Sequence, residues 1–184
     1  MKKKAMFIGI FLLLATATSA LSQVRSGDFS VTPFMGGYTF EGNQDLRSTP
    51  IYGLRGGYNF TKNWGVEGII SYMSPEYKSY AGNPDAKLYT FAIEGLYHFM
   101  PDSRFVPFLA VGTGGIKFDE PTGLEDRERF MVDYGVGLKY FLTDCLALRG
   151  DVRHVIIPLH DNYSNLLYSF GIHYTFGGEK KPRP

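Results

Sequence analysis

Eight charged residues interrupt segments whose neighbours are largely apolar: Arg55, Glu67, Glu94, Asp133, Lys139, Arg149, Asp151 and Arg153. Four are basic and four acidic, so the chemistry open to them is mutual ion pairing. A buried ion without a partner costs several kcal/mol, and charges sharing one interior must therefore balance. Catalysis has less to work with. His98, His154, His160 and His173 lack metal-ligand spacing with Cys145, and no nucleotide-binding glycine motif follows a strand and opens a helix. The most enzyme-like stretch is LHDNYSN, which contains His160 and Ser164. Four residues along a strand separate side chains by about 13 Å, too far for His160 to activate Ser164. Both are read as polar loop residues, and no catalytic residue, metal ligand or cofactor is assigned.

The elements that would position the eight charges follow from periodicity. In YSFGIHYTFGG, Tyr168, Phe170, Ile172, Tyr174 and Phe176 alternate with Ser169, Gly171, His173 and Thr175. A period of two marks a β-strand, because successive side chains point to opposite faces. The same period predicts eight strands, over about 29–40, 50–60, 64–74, 87–99, 105–118, 129–141, 145–156 and 165–176. Each is near or above the ~9–11 residues that a tilted strand needs to cross a bilayer. Connections alternate in length. TKN (61–63), MPDS (100–103) and LTD (142–144) are tight turns, whereas 41–49, 75–85, 119–128 and 157–164 are longer and polar. That asymmetry predicts an all-β, eight-stranded, antiparallel up-and-down barrel inserted from one side, with the longer loops outside.

Sorting by parity assigns the eight charges to one face, with many glycines, Ser71, Thr90, Ser169 and His173. The other face collects Phe34, Tyr38, Phe40, Tyr52, Leu54, Tyr58, Trp64, Ile70, Tyr89, Phe91, Ile93, Phe108, Ala110, Ile116, Phe118, Tyr134, Val136, Leu148 and the row ending at Phe176. An eight-stranded interior is filled by side chains or holds one small ligand, so about twenty rings cannot fit inside it. The aromatic face must point outward, and a belt of that size is tolerable only in lipid. A soluble lipocalin-like carrier would need the opposite assignment.

Composition narrows the setting further. Nineteen Lys and Arg against eighteen Asp and Glu give a net charge of +1, with no pull toward nucleic acid. A single cysteine excludes an internal disulfide. Three lysines, an apolar run from Ala5 to about Ala15 and small residues to Ala20 have the layout of a secretory signal peptide. The expected organisation is a signal over 1–20, a short segment over 21–27, the barrel over 28–177 and a charged, proline-containing tail over 178–184.

FSVTPFMGGYTFEG, YGLRGGYNFTKNWGVEG and FVPFLAVGTGGIKF resemble the eight-stranded N-terminal barrel of OmpA-type and OprF-type outer-membrane proteins. The resemblance covers about residues 27–178 and implies a bacterial outer-membrane location. EKKPRP resembles the start of a linker to a peptidoglycan-binding domain that this sequence does not include. For the charged face the resemblance implies a narrow pore gated by exchanging ion pairs, against which a static plug of salt bridges is preferred because the interior is filled. For the last strand it implies a signal read by the outer-membrane assembly machinery, here Gly171, Tyr174 and Phe176. Expected partners are outer-membrane lipid and that machinery, with no nucleic acid and any extracellular partner left open. The expected role is structural, with at most narrow solute passage. The alternative is a receptor or adhesin acting through loops 75–85 and 119–128.

Overall fold

A computed structural model describes residues 24–41, 47–76, 87–119, 127–158 and 163–178. Eight strands follow one another: β1 (Asp28–Thr39), β2 (Thr49–Asn59), β3 (Trp64–Met73), β4 (Lys87–His98), β5 (Phe105–Asp119), β6 (Arg127–Phe141), β7 (Leu146–Ile157) and β8 (Tyr163–Gly177). Every expected boundary lies within two residues of the one found. Each strand pairs antiparallel with its neighbour in sequence, and β8 returns to β1 to close the barrel. The closing register runs from Asp28 opposite Gly177 to Thr39 opposite Leu166. Closure leaves no unpaired strand edge, the condition a sheet must meet in hydrocarbon.

The outer wall is a lipid-facing belt. Phe91, Ile93, Val111, Val136 and Phe170 are each at least 56% exposed, in the middle of strands where water-soluble sheets would be polar. Rings concentrate toward the two ends. Near the short turns Tyr58 meets Phe60 with ring centroids 5.3 Å apart, Trp64 meets Tyr97 at 4.9 Å and Phe29 meets Phe176 at 6.0 Å. Near the long loops stand Tyr52, Tyr72, Tyr89, Tyr134 and Tyr168. Leu54, Ile70, Ile93, Val136 and Leu148 fill the band between, an aliphatic stripe between two aromatic girdles.

Two strands correct the face expected from the sequence. Phe34, Tyr38 and Phe40, and likewise Phe108, Ala110 and Ile116, are buried in the lumen, each at most 6% exposed. The β1 positions that face lipid are Phe29, Val31 and Met35, and those of β5 are Leu109 and Val111. Phe118 has a side chain outside the described residues. The cause is register. Residues directly opposite on adjacent strands share a face, and Arg55 lies opposite Thr32. Arg55 must point inward, so Thr32, Phe34 and Tyr38 point inward with it. Glu94 opposite Gly112 fixes β5 in the same way and turns Ala110 and Phe108 inward. Each face of these strands carries apolar side chains, so alternation within one strand does not choose between them.

Candidate functional site

The lumen is stratified. At the long-loop end, Tyr38, Phe40, Ile51, Met73, Leu88, Ile116 and Ile157 belong to one apolar cluster that runs down to Phe34 and Ile69. At the short-turn end, Val24, Val106, Phe141 and Ala147 form another. Between them lie the charges. Arg55, Glu67, Glu94, Asp133, Lys139, Arg149, Asp151 and Arg153 are all at most 5% exposed.

Asp151 is the hub of this layer. Its Oδ1 accepts from Arg55 Nη2 and Arg153 Nε, each at 3.1 Å, and its Oδ2 accepts from Arg149 Nε at 3.1 Å. Arg149 Nη1 also reaches Glu67 Oε1 at 2.6 Å, and Arg153 Nη1 reaches Glu94 Oε2 at 2.7 Å. Ser169 Oγ stands within reach of both Arg55 and Asp151, donating to the carboxylate at 3.2 Å. Strand β7 therefore holds β2, β3 and β4 across the lumen. Charge-assisted bonds of the length seen at Asp151 and Glu67 are the strong kind, and Glu67, Glu94 and Asp151 each have a guanidinium within 3.1 Å. Asp133 lines a small cavity beside Glu94 and Arg153. Lys139 turns toward the short-turn end, where Nζ lies 3.0 Å from His98 Nε2. His173 Nδ1 meets Thr32 Oγ1 at 2.7 Å, and Ser71 hydrogen-bonds Thr90.

Two features make room for such large groups. Glycines stand beside them: a Cβ on Gly112 would fall 2.6 Å from Glu94 Cγ, and one on Gly135 would fall 2.6 Å from Arg153 Cδ. Aromatic rings supply the second support. The Arg55 guanidinium lies 3.9 Å from the centre of the Phe34 ring, and that of Arg149 lies 4.6 Å from the centre of Phe108. A desolvated cation over a ring gains about 2 kcal/mol or more. The rings that the sequence reading placed in lipid thus support the lumen arginines, and the cross-strand register of Arg55 and Glu94 was the signal that located them.

A small cavity borders this layer. The cavity bounded by Phe34, Arg55, Glu94, Asp133 and Arg153 has a volume of about 30 Å³, enough for one or two water molecules. Among the described residues no group of three His, Cys, Asp or Glu side chains could hold a metal ion. The layout can store opposite charges compactly.

The three residues expected to carry an assembly signal do not share a face. Tyr174 and Phe176 point outward, at 48% and 46% exposure, with their rings stacked at 6.2 Å. Gly171 packs inward, where an added Cβ would meet Pro33 O at 2.6 Å. Of the two residues read as loop, His160 lies outside the described residues, while Ser164 is the second residue of β8, paired with Ile156 of β7.

A closed, antiparallel barrel with a lipid-facing belt and a polar, filled lumen is a transmembrane barrel of the outer-membrane type. The chain belongs to the outer membrane protein beta-barrel domain family, whose pattern matches residues 8–176. Among solved structures it is similar to the outer membrane protein OprG of Pseudomonas aeruginosa, with 15% identity and a TM-score of 0.65 over 85% of this chain and 99% of that one. It is similar also to Neisserial surface protein A, with 17% identity and a TM-score of 0.65 over 82% of this chain and 100% of that one. The N-terminal barrel of Pseudomonas aeruginosa OprF aligns at 18% identity and a TM-score of 0.56, over 83% of this chain and 99% of that one. At these identities the likeness concerns the fold. No curated protein sequence matches the chain.

Proposed function

We propose that this barrel serves the envelope as a structural wall protein with a plugged lumen and at most narrow, low-conductance passage of small solutes. The observation that carries this reading is the Asp151 hub, which joins three arginines at 3.1 Å in a layer whose cavity measures only about 30 Å³. The lumen charges then serve packing, and no step of a reaction is assigned to them. The signal over 1–20 would direct export, outer-membrane lipid would solvate the belt, and the assembly machinery would read the end of β8. The long loops would face outside.

Planar-bilayer recording of the folded protein tests the plug. Rare, small current steps are expected, and sustained large conductance would overturn the reading. Orientation is tested separately by amine labelling of intact cells. Lys78, in the second long loop, should react and Lys62, in a short turn, should be spared.

A further inference from the structure

The lumen absorbs every strong charge in mid-barrel, yet one polar cluster stands on the lipid side of the wall. His154 of β7 lies opposite Tyr134 of β6 and Leu166 of β8, on the outward face. Its Nδ1 is 2.8 Å from the Tyr134 hydroxyl, and its Nε2 is hydrogen-bonded to Ser164 Oγ. Ser164 is itself fixed. Its backbone N–H donates to Glu41 Oε2 at 2.7 Å, while the Glu41 N–H donates to Asn165 Oδ1 at 3.0 Å. The hydroxyl, base and phenol are all at the surface, level with the tyrosine girdle of the long-loop end. Beside His154 stands Leu166, 44% exposed, and below the cluster Val136 and Val152 are exposed by 57% and 46%, an apolar apron facing the acyl layer.

A nucleophile within reach of a base, with the base held by a third group, is the geometric signature of an activated hydroxyl. We propose that Ser164 and His154 form an ester-hydrolysing site on the barrel's outer wall, with Tyr134 as positioning residue and the carboxylic ester of an acylated membrane lipid as substrate. With Nδ1–H donating to the Tyr134 oxygen, Nε2 presents its lone pair to the Ser164 proton. Oγ attacks the ester carbonyl carbon as that proton passes to Nε2. The carbon–alkoxy bond breaks, and the leaving oxygen takes the proton from Nε2. Water then attacks the acyl-serine, giving its proton to Nε2, and Oγ departs with it. The balance is ester plus water to carboxylic acid plus alcohol, without redox. Girdle depth is where head groups meet acyl chains, so lipid esters reach the hydroxyl without leaving the membrane. Placement in the outer leaflet rests on the orientation proposed above, whereas the chemistry does not.

The test uses the full chain folded in detergent, with a fluorescent fluorophosphonate as serine probe and heat-modifiable mobility as the check on folding. Folded wild type should be labelled at Ser164, located by mass spectrometry, and heat-unfolded protein should not. Ser164→Ala should abolish labelling, and His154→Ala should slow it by roughly 100-fold or more, the range for loss of a general base. Tyr134→Phe should slow it less and move the pH at which labelling is half-maximal, which loss of mere packing would not do. Vesicles of phosphatidylethanolamine and of an acylated disaccharide lipid form two further arms, and fatty acid released from either names the ester source. No label at Ser164 in folded wild type, equal labelling of folded and unfolded protein, or labelling indifferent to His154→Ala would reduce the cluster to a polar clip between strands. Release from neither lipid would overturn the hydrolysis.

Discussion

Phe91 and Phe108 are the same residue in the same kind of strand, yet one is 56% exposed on the wall and the other 1% exposed in the lumen. On the wall a ring is one of a belt, its neighbours are other apolar side chains, and its outer medium is lipid. In the lumen a ring has a specific occupant, since Arg149 lies over Phe108 and Arg55 over Phe34. Wall positions are therefore interchangeable among apolar side chains. Lumen positions are set by particular partners, and their removal strands a charge.

The largest break in that contrast should come from Asp151→Ala. Three arginines would lose a shared carboxylate in a buried layer, a destabilisation of about 3–5 kcal/mol or more. Urea midpoints in lipid should show it, and a midpoint equal to wild type would mean that water already fills the layer. Next comes the wall. Ile93→Arg, at a strand centre that is 65% exposed, should cost about 2–4 kcal/mol as a charge at the bilayer midplane. A change below 0.5 kcal/mol, on the order of a surface substitution, would place Ile93 outside the hydrocarbon. Phe176→Ala should lower the amount of heat-modifiable barrel in outer membranes well beyond Phe99→Ala, which removes another ring of the same girdle; comparable levels would make the end of β8 ordinary wall. Phe34→Leu keeps the site apolar but removes the ring under Arg55, for about 0.5–2 kcal/mol. Stability unchanged by that swap would show that the contact at 3.9 Å is packing alone. The smallest effect belongs to Lys62→Ala, whose bond to Asp102 at 2.7 Å joins two half-exposed side chains of the short turns. A loss of about 0.2–1 kcal/mol, shrinking further in salt, is expected.

Much of this architecture was legible in the sequence because the medium imposes it. A strand that crosses lipid needs a fixed length and a period of two, so eight segments and their connections stood out. Arg149 and Asp151 were assignable inward because the opposite face carries more rings than an eight-stranded interior can hold. Phe34 and Phe108 were not, since a ring beside a guanidinium and a ring in lipid are equally apolar on paper. Nor was the choice of partners legible. Arg149 is 82 residues from Glu67 and Arg55 is 96 residues from Asp151, distances that only the closed register brings to contact. The same holds for Ser164, whose hydroxyl meets His154 across the β7–β8 pairing.

The bonds that β7 sends across the lumen have a mechanical meaning. In a ring of eight strands β3 is diametrically opposite β7, so the 2.6 Å bond from Arg149 to Glu67 is a strut along the diameter, with those to β2 and β4 set to either side. Backbone pairing makes the hoop hard to stretch along its circumference but leaves it free to flatten into an ellipse under lateral pressure from the bilayer. Struts from one strand to three on the far wall oppose that flattening in several directions at once. They also order the failure of the barrel under load. Pulled from its C-terminus, the chain should peel β8 away by breaking ladder bonds and the neutral side-chain contacts of Ser169 and His173, and then stall at β7, where the far wall is pulled with it.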